Sequence, residues 1–201
     1  QIFPPSVGDG AIYEAARILD GFRIAVSKEP NLTFNPGVIV GGTEVTLDSD
    51  TSRATAFGKG NVIAQIVRVN GDLRALSPEQ LTKARQTMQS IVDANLPHTK
   101  AKISFDDGYP PMAPTEGNAK LLAIYSGVSE DFGYGPVTAI NPRNAGAADI
   151  SFVASEVEMA LDGLGLMGTG GHTVDEVADL NTLDSQTIRA AVTLYRLSLP
   201  H

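Results

Sequence analysis

The sequence predicts an α+β first half followed by a segment of α/β texture, on three observations. Apolar residues recur at helical and then at strand spacing in the order αββαβ up to a proline cluster near residue 110. After that cluster, short apolar runs alternate with helical stretches. The 201 residues are 42% hydrophobic, enough for a proper core in one large or two small domains.

The elements follow in order. Asp9 to about Val26 places Ile12, Ala15, Leu19, Phe22 and Val26 on one face, which predicts an amphipathic helix. "LTFNPGVIVGGTEVTL" is rich in β-branched residues and broken at Gly41-Gly42, and "NVIAQIVRVNGDLRAL" alternates imperfectly through Val62, Ala64, Ile66 and Val69. Together they predict two or three strands of a largely antiparallel sheet with one wet face. Ser77-Pro78-Glu79-Gln80 supplies an N-cap, a proline at the first helical position and a glutamine able to close a capping box, so a second helix runs to about Ala94. "KAKISF" predicts another strand, and "GYPPMAPT" the linker. Beyond it, Glu116–Phe132 predicts a helix, "VTAI" a strand, "AGAADISFVA" a small-residue helix, "VEMALDGLG" a strand, and Ser185–Leu197 a last helix.

An αββαβ unit with both helices on one face is a βαββαβ sandwich without its first strand. Two short apolar strands and three helices likewise make only part of a parallel-sheet domain, since such sheets are covered on both faces. Both deficits point upstream of Gln1.

Composition narrows the function. A net charge of −8 without any Lys/Arg run repels a phosphate backbone, which argues against nucleic acid as a partner. No apolar run approaches the roughly 20 residues of a membrane span, and the N-terminus lacks the pattern of a signal peptide. With no cysteine, any metal is held by His, Asp or Glu.

"GTGGHTVDE" sets His172 among glycines that let backbone approach a ligand, with Asp175 and Glu176 able to orient the imidazole. A lone loop histidine is more often an exposed or core residue, and catalytic zinc takes about three protein ligands; His98 and His201 have no spacing that recruits them. "GLGLMG" fits a dinucleotide fingerprint, with Asp184 about 20 residues on, but the loop continues through "TGGHT" instead of opening a helix. Asn61 and Arg74 stand thirteen positions apart, and both can bind a carboxylate if a strand or hairpin brings them to one rim. The pairs Asp48/Asp50 and Asp106/Asp107 are turn residues.

"NPGVIVGGT", "GKGNV", "GDLR", "GYPPMAPT", "NAGAADISFVA" and "LDGLGLMGTGGHTVDE", in this order, resemble the second half of the zinc-dependent exopeptidases and amidohydrolases that include glutamate carboxypeptidase, acetylornithine deacetylase and succinyl-diaminopimelate desuccinylase. The resemblance implies a ferredoxin-like βαββαβ lid lacking its first strand over residues 1–112, and an incomplete α/β segment of a dinuclear zinc catalytic domain over 113–201. It implies a homodimer formed through the lid, and hydrolysis of an amide bond beside a free carboxylate in a small peptide or N-acyl amino acid. By the resemblance His172 is a zinc ligand, Asn61 and Arg74 grip the carboxylate, and Arg143 and Gly146 line the substrate. The family's remaining zinc ligands, its glutamate base and its lid histidine have no counterpart here, so no catalytic residue is expected in this chain and the chain alone is expected to be inactive. The alternative is a non-catalytic α+β module for dimerisation or small-ligand binding.

Overall fold

The computed structural model describes residues 4, 6–48, 50–51 and 53–200. The chain forms two compact units, Gln1–Pro111 and Met112–His201. Its folding pattern is α+β, with helices and small antiparallel sheets.

In the first unit, helix α1 (Gly10–Val26) leads through a short loop to strand β1 (Thr33–Gly42). Strands β2 (Glu44–Asp48) and β3 (Arg53–Phe57) form a hairpin, and β4 (Ile66–Arg74) returns antiparallel along β1. The register runs from Thr33 opposite Arg74 to Gly42 opposite Ile66 and shifts between Pro36 and Val38. The shift changes which side chains face the helices. Phe34 lies against Phe22 of α1, ring edge to face at 5.4 Å, whereas past the bulge it is Gly41 whose Cβ position meets Ile12 of α1. Gly42 is obligatory in its own way: a Cβ there would stand 2.5 Å from the Phe57 carbonyl oxygen, where the hairpin closes.

Helix α2 (Pro78–Asp93) starts as its sequence predicts, with Ser77 accepting from the Gln80 amide at 3.1 Å. The glutamine reaches one residue further back than in the expected capping box, accepting from the Leu76 amide at 2.7 Å, while its own amide donates to the Pro30 carbonyl. Phe22, Met88 and Val92 form the main core, flanked by Ile18, Leu19, Phe34, Leu73 and Ile91; Val26, Leu32 and Ala84 form a second cluster. Ile12, expected inward, is more than half exposed.

Segment 101–105 corrects a second expectation. Ala101, Ile103 and Phe105 pack on the Phe22–Met88–Val92 core and alternate with exposed Lys102 and Ser104, as in a strand, yet the segment joins no ladder among the described residues. Side-chain alternation sets the extended path, but a strand also needs a neighbour for its backbone. Residues 62–64, also read as strand, form the approach to β4.

The second unit holds helices α3 (Glu116–Asp131) and α4 (Leu183–Ser198). Thr115 caps α3 by accepting from the Asn118 amide, and the Asn118 side chain in turn accepts from the Ala160 amide at 2.9 Å. Tyr125 donates to Gln186, and Arg189 donates to fully buried Ser129 at 2.9 Å while its guanidinium covers the Tyr134 ring. Burial pushes the Tyr125 hydroxyl pKa up, against the opposing pull of Arg189. The predicted strands at 137–140 and 157–165 make no ladder, and "AGAADISFVA" folds as a short 3-10 turn over Asp149–Phe152 instead of a helix. Small residues lower the side-chain burial that holds a helix in place, and an apolar run without a neighbouring strand has nothing to pair with. The only ladder among the described residues of this unit is antiparallel: β5 (Gly168–Thr169) with β6 (Val177–Ala178).

Glu14 joins α1 to the end of α2. Its carboxylate is 3% exposed, takes two bonds from Arg17 at 3.0 and 2.7 Å, and accepts from the Leu96 amide at 3.1 Å. The Arg17 hydrogen bond holds its pKa below the usual carboxylate value against the effect of burial, with the Leu96 amide acting in the same direction as Arg17. A depressed folded-state pKa means that this stabilisation is complete above the unfolded value, about 4.3, and disappears as pH falls through the folded one. Glu14→Gln is therefore expected to cost about 1–3 kcal/mol in urea unfolding at pH 7. The difference from wild type should shrink below about pH 4; an equal difference at both pH values would contradict the ionic account.

Candidate functional site

His172 sits at the tip of the β5–β6 hairpin, whose position is set by hydrogen bonding. The Asp179 amide donates to the Met167 carbonyl at 2.8 Å, and the Met167 amide to the Thr182 hydroxyl at 3.1 Å, tying the hairpin to the start of α4. Within the tip, the Thr173 hydroxyl and amide both donate to the Gly170 carbonyl, the Asp175 amide donates to the Thr173 hydroxyl, and the Glu176 amide to the Thr173 carbonyl. Gly170 has φ +72° and a Cβ there would lie 2.7 Å from the Asp175 carbonyl oxygen, so glycine is required. His172 itself has φ 64°, a conformation that histidine tolerates better than most residues. Every residue from 165 to 180 is exposed, the imidazole among them.

The acids of this loop act differently from the sequence expectation. Glu176 accepts from the His172 main-chain amide at 3.2 Å, so its carboxylate orients the backbone that carries the ring. Among the described residues no group of three His, Cys, Asp or Glu side chains can hold a metal ion. Catalytic zinc takes about three protein ligands. The donors present therefore do not make a zinc site by themselves, and His172 is at most one ligand of such a site.

Asn61 occupies an exposed turn closed by the Val62 amide donating to the Lys59 carbonyl. That turn is fastened to the Gly42 end of the sheet: the Gln65 amide donates to the Gly42 carbonyl, and the Ala11 amide at the start of α1 donates to the Ala64 carbonyl, both at 3.0 Å. Arg74 ends β4 opposite Thr33, at the other end of the ladder. Its Nε donates to Asp72 at 2.6 Å, with both side chains more than half exposed. An exposed pair of this kind is worth at most about 1 kcal/mol, so another carboxylate can displace Asp72. Eight steps at about 3.4 Å put the ends of β4 roughly 27 Å apart. Asn61 and Arg74 of one chain therefore do not share a rim of the sheet.

Arg143 lies in the short turn Pro142–Asn144, where the Asn141 side chain accepts from its amide at 3.0 Å. Both Arg143 and Gly146 are exposed. Nothing stands within 4 Å of a Cβ built on Gly146, so its lack of a side chain answers no crowding within the chain. Sequence reasoning missed Glu14 as a buried acid, although Arg17 three residues on is the signal that marks a paired carboxylate on a helix.

Comparison with known proteins bears on both units. Residues 4–100 match a family model described as the peptidase dimerisation domain. Over 189 residues, 93% of its length, the chain is 24% identical to Carboxypeptidase G2 of Pseudomonas sp. (strain RS-16). It spans 41% of that relative. The first unit is thus similar to a domain through which peptidases dimerise, and the chain as a whole to part of a carboxypeptidase.

Proposed function

We propose that the chain is the lid and terminal catalytic segment of a zinc-dependent carboxypeptidase or amidohydrolase, working as a homodimer on small peptides or N-acyl amino acids. The observation that carries this reading is the match of residues 4–100 to a peptidase dimerisation domain. The presentation of His172 on a braced, exposed hairpin supports it. In this reading residues 1–112 form the ferredoxin-like lid, whose further strand lies between β4 and segment 101–105, and residues 113–201 contribute to the catalytic domain. His172 supplies one ligand to a metal centre whose other donors belong to the rest of a longer protein. Zinc in such a centre activates water and polarises the scissile carbonyl.

The carboxylate grip follows from the ladder. Asn61 and Arg74 stand at opposite ends of β4, so both reach one small substrate only when they come from different copies, Asn61 from one protomer and Arg74 from its partner. Arg143 and Gly146 are, in this reading, further substrate-binding residues. The chain by itself lacks a base and a complete metal shell, and is inactive.

Two measurements test this. In the whole hydrolase, Asn61→Ala and Arg74→Ala each lower kcat/KM by about 10²-fold, the loss of roughly 2–3 kcal/mol for a charge-assisted contact. Mixed dimers of the two variants regain one intact site, about a quarter of wild-type activity in a random mixture; no recovery places both residues in the same protomer's site. His172→Ala lowers the bound zinc measured by atomic emission without changing the dimer, whereas unchanged zinc content would favour a non-catalytic dimerisation or ligand-binding module.

A further inference from the structure

The β2–β3 hairpin projects from the Gly42 end of the β1–β4 ladder as an arm. Its register places Val45 opposite Ala56 and Leu47 opposite Ala54. Strand alternation puts these four on one face, and Glu44, Thr46, Asp48, Arg53, Thr55 and exposed Phe57 on the other. Neither core cluster includes a residue of the arm; Val45 and Leu47 are half-buried, and every described residue of β3 is exposed. A two-stranded hairpin is marginal in water on its own. The apolar stripe of this arm is thus only partly covered, half-buried at Val45 and Leu47 and open at Ala54 and Ala56.

A second partly covered apolar surface lies on the helix side of the β1–β4 ladder. Past the bulge, Ile39 and its cross-strand partner Val69 share the face of Gly41, against which Ile12 rests. Helix α1 meets Gly41 near its start and Phe34 through Phe22, and between these contacts Ile39 and Val69 remain 57% and 38% exposed, with Ile12 at 54%.

We propose that the arm of one copy covers the Ile12–Ile39–Val69 patch of a second copy, reciprocally about a two-fold axis. The occupant is a second copy because arm and patch both fall within residues 4–100, the stretch similar to a peptidase dimerisation domain. An isologous dimer pairs such surfaces reciprocally: the arm meets the partner's patch, and the partner's arm meets the patch. The inference rests on the dimeric reading above and adds the surface that forms the dimer.

Sedimentation of the full chain tests it. Leu47→Asp on the arm and Ile39→Asp on the patch each weaken the dimer at least tenfold, while far-UV circular dichroism stays that of the wild type, as expected for residues outside both core clusters. The absence of native cysteine allows a second, positive measurement: chains carrying Ala54→Cys, mixed with chains carrying Ile39→Cys, cross-link into a dimer with a short bismaleimide. A wild-type dimer that persists in both aspartate variants and yields no mixed cross-link overturns the arm and leaves the dimeric reading standing. A wild-type chain that stays monomeric at high concentration removes both.

Discussion

Every feature of the first unit depends on one antiparallel ladder, β1 with β4, and on how helix α1 is seated upon it. Two strands by themselves make too little buried surface to persist in water. The ladder holds because the Phe22–Phe34 contact and the Phe22–Met88–Val92 cluster bring α1 and α2 onto one side of it. The bulge at Pro36–Val38 then reverses the facing of β1 beyond it, so that Phe34 before the bulge and Gly41 after it both look toward α1. Were the extra residue instead taken up in regular alternation, Val40 and not Gly41 would face α1.

A regular strand is also a fixed ruler. Once Gly42 pairs with Ile66 and Thr33 with Arg74, the two ends of β4 cannot approach each other, and donors placed at those ends serve separate locations within a chain. Gripping one small carboxylate with both then becomes a property of a pair of chains. Dimerisation and substrate recognition are, in the proposed function, two consequences of the same ladder. The exposed Arg74–Asp72 pair fits this arrangement: the neighbouring acid keeps the guanidinium extended at the strand end, at an energy small enough for a substrate to overcome.

How much was legible in the sequence divides along the range of the forces involved. The helices were readable because their signals are local: the apolar period of α1 and Ser77-Pro78 before α2 act within a few residues. The strands were harder because a ladder is a relation between distant segments. "KAKISF" has the right alternation and packs its apolar side chains inward, yet among the described residues it lacks a paired neighbour. The glycines around His172 read as room for a ligand beside the backbone, whereas Gly170 is needed for a close approach within its own hairpin, to the Asp175 carbonyl. The thirteen-residue spacing of Asn61 and Arg74 was compatible with a hairpin or a single strand. The choice fell to two backbone bonds, Gln65 to Gly42 and Ala11 to Ala64, that no local pattern announces.

In the proposed function His172 is a single ligand carried at a hairpin tip. A core histidine takes its orientation from packing, but here there is none, since the whole loop is exposed. Orientation comes instead from Thr173, which bridges Gly170 and Asp175, and from Glu176, which fixes the amide of His172 itself. Exposed hydrogen bonds of this kind contribute only about 1 kcal/mol each, so they bias the loop toward one shape without making it rigid. In the proposed function such a loop delivers the imidazole close to its working position, and ligation completes the ordering. The main-chain role of Glu176 serves the same end: its carboxylate sets the backbone from which the ring projects, so the acid beside His172 acts on its carrier and not as a rival ligand.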